Sequence, residues 1–172
     1  MKKINYRLQQ SYKQQGIGLL ELMLALAIIA ILLVMATRYY MSASLNSRID
    51  QTADALNSLP AAGECWIADS NNTLGNYTNL GTNLYRLANT DKCYPLSLVT
   101  SSNLLILPYG TVTVTSSAEK ICVNTITAGT TAEANMLIQK LCKGQNVTAT
   151  SNTFSYEAVY QTCAAGGQNQ CS

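Results

Sequence analysis

Histidine is missing altogether from the 172 residues. Its absence removes Ser-His and Cys-His nucleophile systems. No C-x2-C pair occurs, so a zinc site has no support in the sequence either. The carboxylates are scattered, and no local motif gathers two of them for acid/base work. The chain is therefore read as a non-enzyme with no cofactor and no metal. Other gaps are positional: no acid in residues 1–16, no cysteine before Cys65, and no proline within residues 17–59.

The missing acids matter because residues 1–16 hold Lys2, Lys3, Arg7 and Lys13, a charge of +4 inside a net total of only +2. Seven basic and nine acidic groups remain for the rest of the chain. A basic leader before a slightly acidic body gives no footprint for nucleic acid, which requires a basic face on the folded part. It does follow the positive-inside rule, with the four cations cytoplasmic and the body exported. The cysteines agree. All six (Cys65, Cys93, Cys122, Cys142, Cys163 and Cys171) lie downstream of the basic leader, and an even number on an exported body reads as a disulfide framework in an oxidising compartment.

Between leader and body, residues 17–37 are apolar apart from Glu21. Three readings compete. A cleaved secretory signal has an apolar core of about 7–15 residues ending in a small-residue cleavage site. This run is longer and is interrupted near its start, although Met41-Ser42-Ala43 offers a weak cleavage site. A plain single-span anchor fits the length, since about 20 residues cross the hydrocarbon core. It gives Glu21 no purpose, and an acid placed in the membrane costs on the order of 2.5 kcal/mol or more. The third reading rests on the whole string and is taken up below.

The chain length implies one domain beyond the apolar segment. With no proline to stop it, the helix is expected to run on past residue 37. Leu45, Ile49, Ala53 and Leu56 recur at helical spacing with Ser47, Arg48, Asp50 and Asp54 between them, an amphipathic stripe that packs on the chain's own globular part. The helix is expected to stop at Leu59-Pro60, helped by Gly63. Residues 61–103 are rich in Asn, Thr, Gly and Ser ("DSNNTLGNYTNLGTN"), with a short helix expected around 83–88. Cys65 and Cys93 bracket this stretch and are expected to staple it. Asn71, Asn76 and Asn146 head N-x-T sequons and read as polar loop residues. Strand signals follow at 104–107, 111–115 ("TVTVT"), 120–126 and 153–160 ("TFSYEAVY"), with a turn at Pro108-Tyr109-Gly110. Thr130 and Glu133 form a capping box before "AEANMLIQKLC", where Met136 or Leu137 and Leu141 suit a short helix. The sum is α+β: a long N-terminal helix across an antiparallel sheet with disulfide-tied edges.

Gly16 followed by Ile17-Gly18-Leu19-Leu20-Glu21 and a long apolar helix resembles the type IV prepilin signature. In that family a membrane prepilin peptidase cuts on the cytoplasmic side after the glycine and methylates the new terminus, and glutamate is the fifth mature residue. The resemblance implies cleavage between Gly16 and Ile17, methylation of Ile17, and Glu21 as the fifth-position acid. Ile17 stands where Phe or Met is common, and Gly18 where Thr or Ser is common. The implied organisation is a leader over 1–16, a helix over 17–59 whose first part (17–37) spans the membrane and drives polymerisation, and a disulfide-stapled head over 60–172 in a pilin fold. Glu21 is expected to offset the new terminal ammonium in its own chain or in a neighbour and, paired with the incoming subunit's amine, to set axial register, as buried polar groups do in coiled coils.

The body resembles type IVb pilins such as the bundle-forming pilin, and thin conjugative pilins, through "RYYMSASLNSRIDQTADAL", "LPYGTVTV" and "EKICVNT". That likeness implies Cys122 paired with Cys142, leaving Cys163 with Cys171 and Cys65 with Cys93. The implied function is a structural pilus subunit for adhesion, aggregation, DNA transfer or motility. Its implied partners are further copies in a helical filament, the prepilin peptidase, inner-membrane assembly machinery, and the inner membrane before assembly. No direct nucleic-acid site is evident. The precursor is expected in a bacterial inner membrane with its head in the periplasm, and the assembled product in an extracellular pilus or a periplasmic pseudopilus. A minor pilin, or a pseudopilin of type II secretion, shares the same signature. A membrane-anchored binding domain that never polymerises belongs to a different class and predicts no cut at Gly16.

Overall fold

A computed structural model describes residues 18–166. Helix α1 (Leu19–Asn57) is 39 residues long and opens where the Gly18 carbonyl accepts from the Glu21 and Leu22 amides at 2.9 and 3.1 Å. Leu, Ala and Met dominate its first half, all strong helix formers. The chain divides into two compact units, Met1–Ser42 and Ala43–Ser172, with the boundary inside α1. In the first unit every described residue is exposed. In the second, α1 buries Ile49, Thr52, Ala53, Ala55 and Leu56. The Thr52 hydroxyl is satisfied within the helix by the Arg48 carbonyl at 2.8 Å.

Pro60 does not end the helical region. After a one-residue break at Ser58, α2 (Leu59–Ser70) continues with Pro60 in its first turn. Proline lacks the amide for a bond to the Leu56 carbonyl and its ring crowds that carbonyl, so it interrupts α1. In a first turn that amide has no intrahelical partner anyway. The helix closes instead at Asn71, in the left-handed region at φ 51°, whose amide donates to the Ile67 carbonyl. Gly63 lies buried inside α2, and its role is packing: a Cβ there would stand 2.7 Å from the Tyr77 ring and 2.8 Å from Ile121 Cδ1.

The segment that follows is helical only in short turns, a 3-10 turn Gly81–Asn83, α3 (Leu84–Arg86) and a π turn Leu87–Asp91. Then comes a six-stranded antiparallel sheet in sequential order: β1 (Val99–Ser101), β2 (Leu104–Leu107), β3 (Gly110–Ser116), β4 (Ile121–Thr127), β5 (Thr153–Glu157) and β6 (Thr162–Ala165). Helix α4 (Thr131–Leu141) lies in the β4–β5 connection. Its Thr130 hydroxyl caps the Glu133 amide at 3.2 Å, while Glu133 reaches back to the Gly129 amide at 3.1 Å, one residue before the cap. Strands β1 and β6, the two sheet edges, had no sequence signal, being short and mixed in polarity.

Alternation places Leu105, Val112, Val114, Val123 and Tyr156 on one face, with Val112 opposite Leu105, Val114 opposite Val123 and Val123 opposite Tyr156. Between Val123 and Ile126 the β4 strand carries an extra residue relative to β5, whose Tyr156 and Phe154 are their partners. Thr125, at φ 51°, absorbs this bulge and keeps both Val123 and Ile126 on the core face. The helices lie on that face: Tyr156 Oη donates to Asn57 Oδ1 at 3.3 Å, and Tyr94 Oη to the Ala55 carbonyl at 2.7 Å.

Two disulfides are described. Cys65 is bonded to Cys93 (Cα–Cα 6.2 Å), tying α2 to the end of the π turn. Cys142 is bonded to Cys163 (Cα–Cα 5.9 Å), tying α4 to β6. This corrects the pairing implied by the pilin likeness, since Cys142 is joined to Cys163 and not to Cys122, and Cys163 is therefore not free for Cys171. The cause is strand alternation. Cys122 pairs in register with Glu157, whereas Cys163 pairs with Tyr156, so Cys163 shares the helix-covered face and Cys122 points to the other. Cys122 is itself disulfide-bonded, and Cys171 lies outside the described residues.

Candidate functional site: the apolar helix and its carboxylate

The first half of α1 is apolar around its whole circumference and covered by nothing. Leu19, Leu22, Ile28, Ile31, Leu33 and Met35 are all more than half exposed. A helix hydrophobic on all sides is a buried or membrane-spanning element, and an exposed apolar surface of this extent marks an interaction site. α1 continues into α2 as the single helical stretch among the described residues that is long and apolar enough to cross a membrane. Thr37 is the only hydroxyl in its apolar run, and Oγ1 is satisfied by the carbonyls of Leu33 and Val34, both at 3.0 Å. Beyond the first turn of α1, the backbone of this run is paired along the helix and its hydroxyl is satisfied, as a hydrocarbon environment demands.

Glu21 is exposed in the first turn of α1. There the unpaired amides carry a partial positive charge, which favours a carboxylate. Among the described residues none forms an ion pair with it; the three ion pairs present are Arg86 with Asp69, Arg86 with Asp91, and Lys140 with Asp50. Gly16 and Ile17, the expected cleavage and methylation positions, lie outside the described residues. Past the apolar run, Arg38, Tyr39 and Tyr40 follow in succession, the two tyrosines 78% and 75% exposed.

The head gathers polar groups for support. Glu157 is buried, and its two carboxylate oxygens accept from the Val159 and Tyr160 amides at 2.8 Å each, holding the β5–β6 turn. An acid in an apolar strand gave no sign in sequence that it would cap its own hairpin. Arg86 stacks 5.5 Å from the Trp66 ring centroid and reaches Asp69 at 2.5 Å and Asp91 at 3.3 Å. Trp66 and Asp69 lie well before Arg86 in sequence and could not be paired with it from spacing. Among the described residues no group of three or more cysteines or carboxylates is placed to hold a metal ion.

Residues 11–37 match the family described as the Prokaryotic N-terminal methylation motif. The match covers the end of the basic leader, Gly16, Ile17, Glu21 and the whole apolar run. No curated protein and no solved structure matches the chain. Fold and motif together define a class: an α+β, pilin-like architecture with a long N-terminal helix, behind a signal of the prepilin type. The motif supports a type IV pilin or pseudopilin prepilin, a structural subunit anchored in a membrane by its apolar helix.

Proposed function

We propose that this chain is the structural subunit of a type IVb-like pilus. The prepilin peptidase cuts after Gly16 and methylates Ile17, and the exposed apolar helix then carries the subunit from the inner membrane into a helical filament. The observation that carries the reading is an uncovered apolar helix whose first turn presents a lone carboxylate, within the segment that matches the methylation motif. Cleavage creates an ammonium at Ile17, one turn from Glu21. When helices bundle, an unpaired carboxylate in the fibre core carries a heavy desolvation penalty, and the amine of an incoming subunit removes it. The same demand for a partner makes Glu21 a register key.

The mass of the mature chain tests this. The expected species starts at a methylated Ile17 and carries three disulfides. An uncut chain beginning at Met1 overturns the reading in favour of a tethered, non-polymerising domain. Whether this chain is the main band of sheared surface filaments separates a major pilin from a minor pilin or pseudopilin.

A further inference from the structure

The distance between the charges that bracket the apolar run is short for a membrane. Residues 22–37 hold no charge, Glu21 precedes them, and Arg38 follows at once. Sixteen helical residues rise only about 24 Å, against a hydrocarbon core of about 30 Å. The helix is intact across the run, so it cannot stretch. Tilting shortens its projection and makes the deficit worse. At the far end Arg38, Tyr39 and Tyr40 form a consecutive cation-aromatic group, exposed and without a protein partner among the described residues. That chemistry holds the headgroup level of a bilayer, the guanidinium at phosphate and the phenols at the carbonyl boundary.

We propose that Arg38, Tyr39 and Tyr40 bind the lipid headgroup layer, and that the charge-free run from residue 22 to 37 matches a bilayer thinned to about 24 Å. This rests on the membrane reading above and adds the depth and the lipid to it. With the Arg38 end held at one interface, Glu21 lies just inside the other, so its carboxylate reaches water only where the bilayer thins. In a bilayer of ordinary thickness the inserted precursor is under negative mismatch. That mismatch disfavours the membrane state relative to any state in which the helix is covered by protein.

The test uses the full chain and phosphatidylcholine vesicles of graded acyl length, covering hydrocarbon thicknesses from about 22 to 35 Å. Insertion is read by co-flotation after an alkaline carbonate wash. Wild type is expected to insert best in the thinnest vesicles, with yield falling several-fold towards the thickest. Glu21→Leu extends the apolar, charge-free run to residues 17–37 (the next charge towards the N-terminus is Lys13) and should move the optimum up by about 7 Å. Arg38→Leu should move it upward from the other end. A wild-type optimum near 30 Å, or one that stays in place in both variants, overturns the proposal and leaves the membrane reading intact. Failure of wild type to float with any vesicle overturns both.

Discussion

Gly81 occupies a point where the chain has no room for a side chain. A Cβ there would lie 2.6 Å from the Val114 carbonyl oxygen, a backbone atom in the middle of β3 that cannot move aside. The same residue's amide donates to Ser116 Oγ at 3.1 Å, fixing the 3-10 turn against the sheet. Gly81→Ala is therefore expected to destabilise the head by about 1–3 kcal/mol, read as a lower urea midpoint with unchanged slope. Two tyrosines set the alkaline limit. Burial pushes Tyr94 up to about 12, and burial followed by the Glu157 charge does the same for Tyr156. In the unfolded chain a phenol ionises near about 10. Between these values the folded state holds protons that the unfolded state has lost, so stability is full below about pH 10 and declines as pH rises towards 12. Urea melts across that range should show the decline, with phenolate absorbance lagging until the protein unfolds. Glu21 makes a different demand. Glu21→Ala should leave insertion and cleavage intact while filament yield falls at least about tenfold, because a buried terminal amine loses its counter-charge. Sheared-fibre blots beside a membrane-fraction control check it, and normal filaments would falsify the register role.

At the level of elements, the Cys142–Cys163 bond closes a span of 21 residues between α4 and β6. Loop-closure entropy assigns such a bond about 3 kcal/mol. The double variant Cys142→Ser/Cys163→Ser should lose roughly that much in denaturant melts, with the edge strand β6 exchanging its amide hydrogens first. Non-reducing peptide maps should show Cys142 linked to Cys163, and a Cys122–Cys142 peptide would refute the arrangement. This is also where sequence reading reached its limit. Strict alternation in "TVTVT" made β3 legible, and Thr130 with Glu133 marked the start of α4, because these signals are local. The cysteine partners are not local. They depend on which face of β4 holds Cys122, and the register there depends on the bulge at Thr125. Pro60 was legible as the stop of α1 but not as part of the first turn of α2, because that second helix is held by the buried contacts of Leu59, Ala62, Trp66 and Ile67. The apolar run was legible because its signal lies in one continuous stretch of sequence.

The whole molecule is two units with different solvents. The described part of the first is exposed throughout and apolar between Glu21 and Arg38 apart from Thr37, whereas the second has a core that begins on α1 at Ile49, with Leu45 packed against it. Among the described residues, the core and the side chains packed on it start at Leu45. Under the proposed function, such a head would remain folded whether its helix stands in lipid or in a bundle of other helices. A chain starting at Ala43 should accordingly be a soluble monomer in the absence of detergent. Its thermal midpoint should lie within a few degrees of the full chain's in detergent, since the truncation removes no buried apolar area and about 1 kcal/mol shifts a domain of this size by only ~4 °C. Sedimentation and a melt read both properties. A truncated chain that unfolds, or loses the Cys142–Cys163 bond under oxidising conditions, would show that the apolar half of α1 contributes to the head's stability as well as to its transfer.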